Sequence, residues 1–117
     1  MKYFTPEGDP KIDFSKVDKD ALLRLEQARE KAGVPFKITS HYRTPEHSVA
    51  VGGFSKDAHT QIPCTAFDIA YSTTYEVYKI VTALLSAGFQ RIGINAKNKH
   101  IHVDAETSFP TPRLWIE

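Results

Sequence analysis

Two histidines and a carboxylate stand in this chain at spacings that could bring them together. His100-Ile101-His102-Val103-Asp104 reads as a β-strand. Alternate side chains of a strand share a face, so His100, His102 and Asp104 point one way. Ile101 and Val103 point the other way, toward a core. Ala66-Phe67-Asp68-Ile69-Ala70 has the same geometry. Asp68 is flanked on its face only by alanines, which leaves room around the carboxylate. His59 lies nine residues before Asp68, in the loop that feeds this strand. Taken singly, each is an ordinary surface or loop residue. Taken together, two imidazoles and one carboxylate are the donor set of a catalytic zinc site with one position left for water. A zinc ion there lowers the pKa of its water to roughly 7 and polarises a carbonyl. His100, one strand step from His102, is placed for acid/base work or a hydrogen bond near the ion.

The elements that must position these residues can also be read. Leu22, Leu25, Ala28 and Ala32 recur at helical steps, which predicts a helix from about Asp18 to Ala32. Asp18 or Ser15 caps its start and Gly33 its end. Residues 36–40 read as a short strand. Thr44-Pro45-Glu46 is a helix start with proline at the first position, and Gly52-Gly53 ends that short helix. Residues 54–64 lack periodicity and read as a loop. Val77, Ile80, Val81, Leu84 and Leu85 mark a second long helix, capped by Thr73 or Thr74 and ended at Gly88. Ile92–Ile94 and His100–Val103 form a hairpin around a polar turn. The last dozen residues, with two prolines, are expected to be a surface tail packed by Leu114 and Trp115. This order is α+β, a small antiparallel sheet packed by helices, in a single domain over 1–117.

Composition excludes several classes. The chain has 117 residues, 25% of them charged, with a net charge of +1, which gives no electrostatic basis for nucleic-acid binding. No apolar run is long enough to span a bilayer. One cysteine, Cys64, excludes an internal disulfide framework and a four-cysteine zinc site. It reads as a buried small thiol rather than a nucleophile. The first eight residues lack the apolar core of a signal peptide, so synthesis in the cytoplasm is expected. A monomer is expected.

A longer stretch carries a resemblance. Tyr42-Arg43-Thr44-Pro45-Glu46-His47, Val51-Gly52-Gly53, His59, Ala66-Phe67-Asp68 and His102-Val103-Asp104 follow one another in the order seen in the peptidase M15 family. They most resemble its D-alanyl-D-alanine carboxypeptidase-like branch, subfamily A. The resemblance spans about residues 38–104. It implies the hedgehog/DD-peptidase fold, with His59, Asp68 and His102 as zinc ligands and Arg43 as the group that grips a substrate carboxylate. A guanidinium offers a planar, permanently charged fork for that task. It implies a peptidoglycan-derived peptide as substrate. A phage lysin or phage-particle component would reach the cell wall without a signal sequence. The chain departs from the pattern at several points. Eight residues, Thr60 to Phe67, separate the first two ligands where six are usual, and Cys64 stands where glycine is preferred. His41 replaces a glycine, Ser48 an asparagine, and Asp57 a serine. Lys99 stands where several relatives carry an acid. A charged ammonium accepts no proton, so the catalytic roles pass to His100 and Asp57, or to Asp104. The alternative is an inactive zinc-binding module of the same fold that holds cell-wall peptide or a protein partner.

Overall fold

A computed structural model describes residues 1–117. The elements in chain order are α1 (Lys19–Ala32), β1 (Lys37–Ser40), α2 (Pro45–Ala50), a 3₁₀ turn (Ala58–Thr60), β2 (Phe67–Ala70), α3 (Thr74–Ser86), β3 (Arg91–Asn95), β4 (His100–Asp104) and β5 (Arg113–Ile116). The helix starts follow from their caps. Asp18 accepts from the Ala21 N–H at 2.8 Å, Thr44 from His47 at 3.1 Å and Thr73 from Glu76 at 3.2 Å. Each satisfies a donor that the first helical turn leaves free. Gly33 closes α1 in the left-handed region, φ 70°.

Five strands form one sheet in the order β1-β2-β4-β3-β5. Helices α1 and α3 cover one face. Leu22, Leu25 and Ala28 of α1 and Ile80 and Leu84 of α3 meet Phe67, Ile69, Ile92, Ile101 and Val103 of the sheet in one core. The irregular N-terminal stretch adds Phe4 and Ile12 to it. The apolar half of the β2 and β4 alternation is thus buried under helices. That burial forces the polar half onto the opposite face, because slipping a strand by one residue would invert both sets.

The last segment departs from expectation. The anticipated surface tail is instead an edge strand, β5, paired parallel to β3. The sheet is therefore mixed rather than antiparallel. The signal was weak because four residues just after two prolines carry little periodicity, and Leu114 and Ile116 stay exposed. What holds β5 is its hydrogen-bond ladder and one tight contact. Gly93 lies opposite Trp115, and a Cβ built on Gly93 would fall 2.4 Å from the indole. Only glycine admits the ring at this distance. Gly93→Ala is expected to push the indole off the sheet at a cost of about 1–3 kcal/mol. Trp115 is the only tryptophan, so a red-shifted emission together with a lower melting temperature would report it.

Candidate metal centre

The open face of the sheet carries the polar residues in three cross-strand rows. The first aligns Ala70 of β2, His100 of β4 and Asn95 of β3. The second aligns Asp68, His102, Gly93 and Trp115. The third aligns Asp104, Arg91 and Arg113. The antiparallel register of β2 and β4 therefore sets Asp68 directly beside His102.

His59 arrives from the 3₁₀ turn. Asp57 caps that turn, accepting from the His59 N–H at 3.0 Å. The Asp57 carboxylate also accepts from the Phe54 N–H at 3.1 Å and from the Ser48 hydroxyl. Ser48 is fully buried, and a Cβ on Gly53 would lie 2.5 Å from Asp57 Oδ2. The Gly52-Gly53 step thus does more than end α2: it lets this carboxylate approach the helix. Burial works against the Asp57 charge, but its hydrogen bonds and the neighbouring Arg43 outweigh burial and hold its carboxyl below the usual range.

The three ligating atoms of His59, Asp68 and His102 lie within 4.8 Å of one another, and all three residues are buried. Asp68 Oδ1 is 3.2 Å from His59 Nε2 and 3.1 Å from His102 Nδ1. The remaining nitrogen of each ring is already engaged. His59 Nδ1 donates to the His41 carbonyl, and His102 Nε2 faces Asp104 Oδ2 at 2.6 Å. Rings oriented in this way, with their free nitrogens converging on a carboxylate, fit a divalent cation, and the two-nitrogen, one-oxygen set suits zinc. Asp104 is itself fully buried and accepts from Arg91 Nε at 2.8 Å.

His41 was passed over in the sequence, where it only interrupts a motif. Its ring is 1% exposed and stacks on Phe67 with centroids 5.0 Å apart. Its Nδ1 accepts from the Asp13 N–H at 3.0 Å, and its Nε2 donates to the Cys64 carbonyl at 3.2 Å. Burial above all, and the nearby His59, push its pKa down, so it stays neutral. It fixes the carbonyl that orients His59. No spacing rule could have revealed this.

Cys64 packs beneath the turn, its thiol facing the carbonyls of Ala58, His59 and Ala66. Burial pushes the thiol pKa up to about 12. The folded protein is therefore expected to resist thiol reagents at pH 8, with one thiol per chain reacting only on unfolding. A disulfide-exchange chromophore with and without denaturant checks this.

Arg43, Asp57, His100 and Asp104 border the same pocket, of about 900 Å³. Arg43 is half-buried, with Nη2 3.6 Å from Asp57 Oδ2 and Nε without a partner. His100 is on the pocket wall, and His47 is exposed. Lys99 is exposed in the β3–β4 turn at φ 53°.

In the metal-free state the site is a buried charge cluster with a definite pH response. Burial disfavours the Asp68 charge, yet hydrogen bonds from His102 and His59 dominate and hold its carboxyl far below the usual range. Burial likewise opposes the His102 charge, and Asp104 and Asp68 overcome it, raising its pKa from 6.5 to about 9. The lowered Asp68 contributes stability above its unfolded pKa near 4, lost as pH falls. The raised His102 contributes stability below pH 6.5, lost as pH rises through 9. The lowered, neutral His41 loses stability as pH falls below 6.5, so chelated protein is expected to melt highest at about pH 6–7. A flat melting profile from pH 5 to 9.5 would contradict this.

A family model described as Peptidase M15 matches residues 7–104. The chain belongs to the peptidase M15 family. No curated protein and no solved structure matches it. Family and site together define a peptidase-like domain with a site able to hold a metal ion. No helix is long and apolar enough to cross a membrane.

Proposed function

We propose that this domain is a zinc-dependent peptidase of the D-alanyl-D-alanine carboxypeptidase-like branch. It cleaves stem peptides of bacterial peptidoglycan next to a D-amino acid. The observation that carries the reading is the convergence of His59 Nε2, Asp68 Oδ1 and His102 Nδ1 beside the pocket. These residues hold the ion. When bound, zinc supplies Lewis acidity, which polarises the scissile carbonyl and acidifies the attacking water.

The chain's own residues do the rest. Arg43 binds a substrate carboxylate with the guanidinium donors that Asp57 leaves free, and so sets which bond lies over the site. His100 takes a proton from the attacking water and passes it to the leaving amine as the C–N bond breaks. Asp57 is engaged by Ser48, Phe54, His59 and Arg43, so its part is to position His59 and Arg43 rather than to carry a proton. Asp104 orients His102 in the same way.

Chelation and zinc add-back, assayed on purified muropeptides, test the reading. Cleavage that disappears with the metal and returns with it is the expected result. Cleavage indifferent to chelation overturns the zinc mechanism. One observation favours a second reading, a zinc-binding module without turnover: the position where relatives carry an acid is Lys99, exposed in a turn. Stoichiometric zinc with every muropeptide left intact would support it.

A further inference from the structure

The parallel pairing of β5 with β3 extends one residue beyond Ile116. The Glu117 N–H donates to the Ile94 carbonyl at 2.8 Å, which brings the Glu117 side chain alongside Asn95 and, across it, His100. Three contacts then converge on one carboxylate. Trp115 Nε1 donates to Oε2 at 3.0 Å, Asn95 Nδ2 donates to Oε1 at 3.2 Å, and His100 Nε2 lies 4.0 Å from Oε1. Trp115 is itself clamped against Gly93. The carboxylate is therefore held on the pocket wall by a rigid aromatic rather than by a mobile stem. Glu117 lies outside residues 7–104, so the family match assigns it nothing.

We infer that Glu117 is a positioning residue for His100: its carboxylate, held by Trp115 and Asn95, fixes the imidazole with its proton on Nε2, which leaves Nδ1 as the nitrogen free to accept one. The inference rests on the acid/base role proposed for His100. It gives a carboxylate back to a site whose usual acid position holds Lys99, by a different route through the sheet. At 4.0 Å the two groups are beyond a direct hydrogen bond, so at this separation the carboxylate acts on the imidazole N–H electrostatically. An imidazole left without this partner would exchange between tautomers and turn about its χ2.

Imidazole ¹⁵N spectra of the zinc-loaded chain test this independently of turnover. Wild-type His100 is expected to show one tautomer, with hydrogen on Nε2. Glu117→Ala is expected to give the averaged nitrogen shifts of a mixed tautomer, with His59 and His102 unmoved. In cleavage assays its kcat falls about tenfold while KM stays within about twofold, as for a group acting only on the proton transfer. Should Glu117→Ala release β5, seen as a red shift of Trp115 emission, the near-isosteric Glu117→Gln replaces it. There the loss of charge is expected to shift the His100 Nε2 resonance while β5 stays in place. A His100 spectrum identical to wild type in both variants overturns the inference. If the wild type cleaves nothing, the peptidase reading fails, and the His100 spectrum still decides the role of Glu117.

Discussion

Asp68→Ala is expected to abolish both zinc binding and peptide cleavage. Asp68 Oδ1 sits between His59 Nε2 and His102 Nδ1, so its removal takes away one ligand and the charge that draws the other two together. Two imidazoles alone are a poor site for a divalent cation with an open position. Loss of Lewis-acid stabilisation worth several kcal/mol corresponds to a fall of roughly 10³-fold or more in kcat/KM. Metal content of the dialysed variant, beside its muropeptide assay, reads both effects. The fold should survive. Asp68 is on the open face of the sheet, and the core residues Phe67 and Ile69 on its flanks are untouched. A variant that keeps one zinc per chain would remove Asp68 from the ligand set.

Asp104→Ala is expected to damage the protein differently, through stability first and metal second. Asp104 is fully buried between Arg91 Nε and His102 Nε2. Burial opposes its charge, and the hydrogen bond from His102 with the charges of His102 and Arg91 more than compensates. Truncation leaves the half-buried Arg91 cation and the His102 N–H without their acceptor. Breaking a buried pair on one side costs about 3–5 kcal/mol. In a chain of this size that lowers the melting temperature by roughly 10–20 °C. The metal remains bound but held less firmly, by about 10–100-fold, because the His102 ring has lost the partner that orients it. Calorimetric melting and a competitive zinc titration separate the two effects. A melting temperature within a degree or two of wild type would show that water replaces the carboxylate without loss.

The two predictions differ in how readable their residues were. Asp68 and His102 were legible because period-2 alternation with large apolar partners leaves one arrangement of the faces. Phe67, Ile69, Ile101 and Val103 cannot be buried without presenting the two polar residues together. The helix caps were legible for a similar local reason. Asp104 was legible as to face, but its ion pair with Arg91 comes from strand register, which no local pattern encodes. The bracing around His59 lay further out of reach. The Asp57, Ser48 and Gly53 contacts occupy a stretch without periodicity, and the contribution of His41 is made by its main chain and by stacking. The final strand was misjudged outright. Its partner is some twenty residues away and parallel, and a four-residue edge segment has no periodic stretch long enough to declare itself.

That strand gives the pocket wall a stretch of different origin from the rest. The residues able to hold a cation come from β2, β4 and the turn before β2, all inside the stretch that matches the family. Part of the remaining wall, Phe109, Pro110, Trp115 and Glu117, lies outside that stretch and is held by the β3–β5 ladder and the glycine-to-indole contact. Grafting a different ribbon after residue 104 could reshape what the pocket admits while the ion's cage stayed as it was. Diversification in molecules built this way has an inexpensive place to begin.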